Sequence, residues 1–140
     1  MFEKVAVAID GSSPAANALD AGIELARRFG ARLTVLTVQA LRTDHESSIP
    51  WKAEEDALRV MLEEAREKAR AHGVEHVDVA FLTGHAIEAI VEFADRSGVG
   101  LLVVGSRGLS RGSRLLLGSV SSGLVQNAHC PVLVIRPVRS

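Results

Sequence analysis

Five short runs rich in Val, Ile and Leu recur along the chain at near-regular intervals: KVAVAI, RLTVLTV, HVDVAFL, LLVVG and VLVIR. Runs of this length, enriched in β-branched residues and bounded by Gly, Pro or polar clusters, read as strands, and the most continuously apolar ones as strands covered on both faces. The segments between them carry helical spacing instead. Leu19, Gly22, Ile23 and Ala26 form one stripe, and Leu58, Met61, Leu62, Ala65 and Ala69 a second. Ile87, Ile90, Val91 and Ala94 form a third, and Leu117, Val120, Leu124 and Ala128 a fourth. Strand alternating with helix predicts an α/β fold, an open parallel sheet doubly wound by helices on both faces through right-handed crossovers. Ser13 followed by Pro14 is the expected N-cap and first turn of the first helix, and Gly30 and Gly73 are the expected C-terminal caps of the first two. The stretch from Ala40 to Pro50 lacks periodicity and reads as an exposed loop.

At 140 residues the chain is expected to form one domain, 1–140, with no linker. A formal net charge of -1 gives no general attraction to nucleic acid or to anionic lipid. No apolar run is long enough to span a bilayer, and the N-terminus has no signal-peptide pattern. Cys130 is alone, so no intrachain disulfide forms and a reducing, cytoplasmic location is expected. Beside His129 it reads as a small apolar thiol preceding a buried strand rather than a nucleophile.

The chemistry concentrates in GSRGLSRGSRLLLGSV, Gly105 to Val120, which holds four glycines, three arginines and no acidic residue. Glycines let several main-chain amides converge on a phosphate, and a helix beginning near Leu117 to Ser119 would turn its unpaired amides toward the same space. Arg107, Arg111 and Arg114 bring charge near that point, and Ser119 adds a hydroxyl. No Gly-Lys pair occurs, which excludes the lysine-assisted P-loop. The glycines of GVG precede their strand, and the second strand ends without a ribose-binding carboxylate, so a nicotinamide site is not expected. The first strand ends in IDGSSP. Asp10 there stands where the ligand crevice of an open α/β sheet lies, free either to meet a ribose or adenine or to brace the turn through an Asx bond.

From VAVAIDGS to HCPVLVIRP the chain resembles the universal stress proteins. The resemblance rests on their nucleotide motif of Gly, two residues, Gly, nine residues, then Gly-Ser: here Gly105, Gly108, Gly118 and Ser119, with no departure in spacing. The resemblance implies a five-stranded parallel sheet in the order 3-2-1-4-5. It implies ATP as ligand; a metal such as Mg could bridge the phosphate oxygens. Asp10 would contact the adenosine and Val38 would offer main chain to the adenine. Gly105, Gly108, Gly118 and Ser119 would hold the ribose and phosphates; Arg107, for its charge in the loop, and Val120, in the first turn after Ser119, join them as candidate site residues. It also implies a homodimer through the last strand, Val132, Leu133, Val134 and Ile135, whose apolar edge invites a second chain.

The expected function is an ATP-binding regulatory or stress-response module. The alternative is a slow ATP hydrolase or phosphotransferase in the same cleft. Chemistry on the γ-phosphate needs a metal ligand and a positioned nucleophile, and the loop holds no carboxylate. The five histidines, His45, His72, His76, His85 and His129, show no metal spacing. His85 reads as a cap of the third helix together with Thr83. A flavin is not favoured, since the chain has no tyrosine and only Trp51 as tryptophan.

Overall fold

The computed structural model describes residues 1–41, 50–106 and 118–137. Arg107, Gly108, Arg111, Gly112, Arg114 and Leu117, His45 and most of the 40–50 stretch lie outside the described residues. The elements run β1 (Lys4–Ala8), α1 (Ser13–Phe29), β2 (Arg32–Ala40), α2 (Trp51–Ala71), β3 (Val77–Gly84), α3 (Ala86–Ser97), β4 (Leu101–Gly105), α4 (Ser119–Asn127) and β5 (Val132–Ile135). All five strand runs fall where their composition placed them. The sheet is wholly parallel with the order β3-β2-β1-β4-β5.

Successive side chains of a strand point to opposite faces, and numbering makes the partition easy to follow. Odd-numbered strand residues, among them Val5, Val7, Leu33, Val35, Val77, Leu101 and Val103, pack with α1 and α2. Even-numbered ones, among them Ala6, Leu36, Leu102 and Val104, pack with Ile90 and Ala94 of α3 and Leu124 of α4. Two apolar layers result, one on each side of the sheet. This is why the central strands β1 and β4 read as unbroken apolar runs.

The helix ends hold two corrections. The N-cap of α1 is Ser12, not Ser13: its Oγ accepts the Ala15 N–H at 3.4 Å, and Ser13 and Pro14 occupy the first turn. The cause lies two residues earlier, where the Asp10 carboxylate accepts the Ser12 N–H at 2.9 Å and holds that residue extended. In α4 the buried face runs through Ser121 and Leu124, whereas Val120 is 38% exposed and does not join the stripe expected for it. Gly30 caps α1 as expected. Gly73 follows the end of α2, where His72 is the capping residue.

Candidate functional site

β1 leads into a helix on one face of the sheet and β4 into a helix on the other, and the two strands are neighbours. The space beyond their carboxyl ends is therefore the switch point of the topology, where open α/β sheets leave a crevice. A crevice of about 510 Å³ opens there. Its apolar wall is Ala8, Leu36, Val38, Ile90 and Val104, and its polar side is Asp10, Ser12, Ser106, Ser119 and Ser121. Asp10, Val38, Gly105, Gly118, Ser119 and Val120 all line it. Arg107 and Gly108 belong to the sequence motif and fall outside the described residues. Among the described residues no lysine or arginine borders the crevice.

The turn out of β1 is built by sequence-local chemistry. Gly11 sits at φ 87°, a conformation open to glycine at little cost, and the Asx bond from Ser12 N–H fixes the Asp10 carboxylate against the crevice. The bracing role weighed for Asp10 is thus present, and it presents the carboxylate at the crevice as well. Ile9 N–H makes one more rung to Leu36 C=O at 2.9 Å before the chain turns away. Ile9 C=O is taken by the buried Thr37 hydroxyl, which donates at 2.7 Å. The alternation of a parallel ladder aims the main-chain N–H and C=O of Val38 toward β1, past that last rung and into the mouth of the crevice.

The opposite end of the crevice is the start of α4. Gly118 is its N-cap and has no side chain with which to satisfy the first amides. Ser121 Oγ donates back to Gly118 C=O at 3.1 Å, and Ser122 N–H donates to the same oxygen at 2.9 Å. Those bonds hold the first turn by its carbonyl, and among the described residues no side chain caps its leading N–H groups, which lie at the positive end of the helix dipole.

Gly105 has a packing reason to be glycine: a Cβ there would collide with the Pro14 carbonyl group in the first turn of α1. Sequence reasoning missed Thr37 and Ser121. It also missed the buried Gln39, whose Nε2 donates to Trp51 C=O at 3.1 Å and Glu54 Oε1 at 2.8 Å and so ties the start of α2 to the end of β2. The available signal for Thr37 and Gln39 was a polar residue at an odd, inward position of an otherwise apolar strand.

His85 stands at the N-cap of α3, but its side chain makes no capping bond; it lines a separate groove. His129 Nδ1 lies 2.9 Å from Asp95 Oδ2 on the surface. Partial burial pushes the Cys130 thiol up from its ordinary pKa, which favours the inert protonated form. Among the described residues no group of three or more His, Cys, Asp or Glu is placed to hold a metal ion, and no helix is long and apolar enough to cross a membrane.

The universal stress protein family model matches residues 1–136. The chain belongs to the universal stress protein family. Universal stress protein YxiE of Bacillus subtilis is 38% identical across 97% of this chain and 100% of its own length. A universal stress protein of Thermus aquaticus is 38% identical with the same coverage of both chains. Among solved structures, a universal stress protein in complex with cAMP superposes with a TM-score of 0.77 at 28% identity, covering 96% of this chain and 97% of that one. The universal stress protein of Archaeoglobus fulgidus in complex with dAMP gives 0.71 at 25% identity, with 96% and 99% covered. Some structural neighbours of this universal stress protein thus bind adenine nucleotides, in the same fold and strand order.

Proposed function

We propose that the crevice binds ATP and that the protein is a nucleotide-dependent regulatory module. The observation that carries this reading is the uncapped first turn of α4 opening beside an apolar slot at the β1/β4 switch point. The adenine lies against Leu36, Val38 and Ile90, with the Val38 main chain along its polar edge. The Asp10 carboxylate accepts from a ribose hydroxyl. The phosphates rest on the amides of Gly118, Ser119 and Val120, with Gly105 behind them and Arg107 and Gly108 of the motif completing the cradle. Mg enters through the phosphate oxygens. Relatives that bind cAMP and dAMP support the adenosine end of this arrangement. Titration calorimetry with ATP, ADP and AMP tests it. Binding of ATP with Kd near or below about 1 µM, roughly 8 kcal/mol, with negligible phosphate release over hours is expected. Steady release would mark the slow hydrolase instead.

Ser119→Glu separates binding from folding. A carboxylate in the first turn of α4 favours the helix by roughly 0.3–1 kcal/mol through the dipole and repels incoming phosphate. The expected result is a thermal midpoint at or above wild type together with ATP binding weakened about tenfold or more, about 1.4 kcal/mol. Unchanged ATP affinity would remove α4 from the site.

The same reading takes the protein as a homodimer through β5. The bonds from Leu102 N–H to Pro131 C=O and from Ser106 N–H to Ile135 C=O place the odd residues of β5 on the inner ladder. Main-chain groups of Val132 and Val134 therefore face outward along an edge strand, and Leu133 is partly exposed beside them. Val134→Pro deletes an outward donor while leaving the rungs to β4. Sedimentation velocity should show wild-type dimer and Val134→Pro monomer at micromolar concentration. A wild-type monomer would reject the arrangement.

A further inference from the structure

A second concavity lies on the α3/α4 face: an open groove of about 1160 Å³ walled by α3 on one side and by Val120, Asn127 and His129 on the other. Ile87, Val91 and Val120 supply its apolar surface. Glu88, Glu92 and Asp95, on successive turns of α3, line it with carboxylates. Arg96 is its one lysine or arginine among the described residues, and Glu92 already holds that guanidinium at 3.3 Å. Its two histidines are His85 and His129, the latter against Asp95.

The neighbouring helix is unusual for a solvent-facing element. α4, Ser119 to Asn127, contains no charged residue, and Val120 and Val125 are 38% and 50% exposed. The exposed faces of α1, α2 and α3, by contrast, carry the ion pairs Arg28–Glu24, Lys52–Asp56 and Arg96–Glu92. An uncharged helix showing aliphatic side chains beside a row of carboxylates has the composition of a covered surface.

We propose that this groove docks a basic, aliphatic segment of a partner protein. Aliphatic side chains of the segment would meet Ile87, Val91 and Val120 while its lysines or arginines meet Glu88, Glu92 and Asp95. Charge decides among occupants. A two-fold contact with a second copy would set this acidic row against itself, and an anionic membrane would be repelled by it. The inference does not depend on the nucleotide reading, although Ala86 and Val120 border both concavities and would set the docked segment beside the crevice.

The probe is a fluorescein-labelled lysine-leucine amphipathic peptide about five helical turns long, read by anisotropy near 0.15 M salt, with a glutamate-leucine peptide of the same pattern as comparison. Wild-type protein should bind the lysine peptide with Kd in the range of about 10–100 µM and ignore the glutamate peptide. Glu88→Lys with Asp95→Lys should weaken the lysine peptide about tenfold or more. The matched reversal on α2, Glu63→Lys with Glu67→Lys, should leave it unchanged. Both variants should keep wild-type ATP affinity in calorimetry, which separates loss of docking from loss of the nucleotide crevice. Equal weakening by the two reversals, equal binding of the two peptides, or no binding by wild type overturns the proposal. So does self-association that disappears in the α3 reversal alone, which would assign the groove to a second copy.

Discussion

Replacing Gly105 by valine is expected to lower stability by roughly 1–3 kcal/mol, a fall in thermal midpoint of about 4–12 °C, and to weaken ATP binding in the folded protein. The argument is steric. Gly105 ends β4 at the point where the first turn of α1 passes closest, and any Cβ would overlap the Pro14 carbonyl group, which is main chain and cannot rotate aside. Relief requires α1 to shift at its N-terminus, carrying Ser12 and the Asp10 carboxylate bonded to its N–H. Both β1 and β4 exits would then move relative to each other. Gly105→Ala should show the same direction with smaller size, since it introduces the same first atom without the branches. Calorimetric unfolding and ATP titration measure the two effects together. A valine variant with wild-type midpoint and affinity would mean that the β4 exit and the α1 start are not in close contact.

Leu124→Ala is expected to cost roughly 2–5 kcal/mol, a large share of the 5–15 kcal/mol that keeps a domain folded. Leu124 is fully buried among Ala6, Leu36, Ile90, Leu102 and Val104, and within α4 only Ser121 is otherwise buried. One side chain therefore anchors most of the helix whose first turn faces the crevice. The stability loss should come with weaker ATP binding. Leu33→Ala gives the comparison: it is equally buried, in the layer of α1 and α2 on the far side of the sheet, and should lose similar stability while ATP affinity of the folded fraction holds. If Leu124→Ala binds ATP as wild type does, the orientation of α4 is not set by this contact.

The strands, the helical segments and the α/β class were legible because each depends on periodicity within a dozen residues. The apolar run in KVAVA and the spacing of Leu19, Gly22, Ile23 and Ala26 both survive intact in the fold. The glycine spacing of the motif was legible for the same reason, and Gly118 does stand at the start of α4. Misreadings arose where two local signals competed. Ser12 and Ser13 are equally good caps by composition, and the Asp10 bond to Ser12 N–H selects between them. Val120 has helical spacing with Leu124, yet the sheet lies on the other side of that turn, under Ser121.

Composition and spacing by themselves determined which segments are strand or helix, where the turn residues lie, and that an anion site without lysine was to be sought after the fourth strand. The strand order entered through family resemblance, because no single run records which neighbour it will meet. Tertiary structure alone decided that Thr37 would satisfy Ile9 C=O from 28 residues away, that Gln39 would hold the start of α2, and that Gly105 would have Pro14 against it. Such contacts join groups distant in sequence. Their partners are chosen by sheet register and helix docking, whereas periodicity is a property of the local backbone.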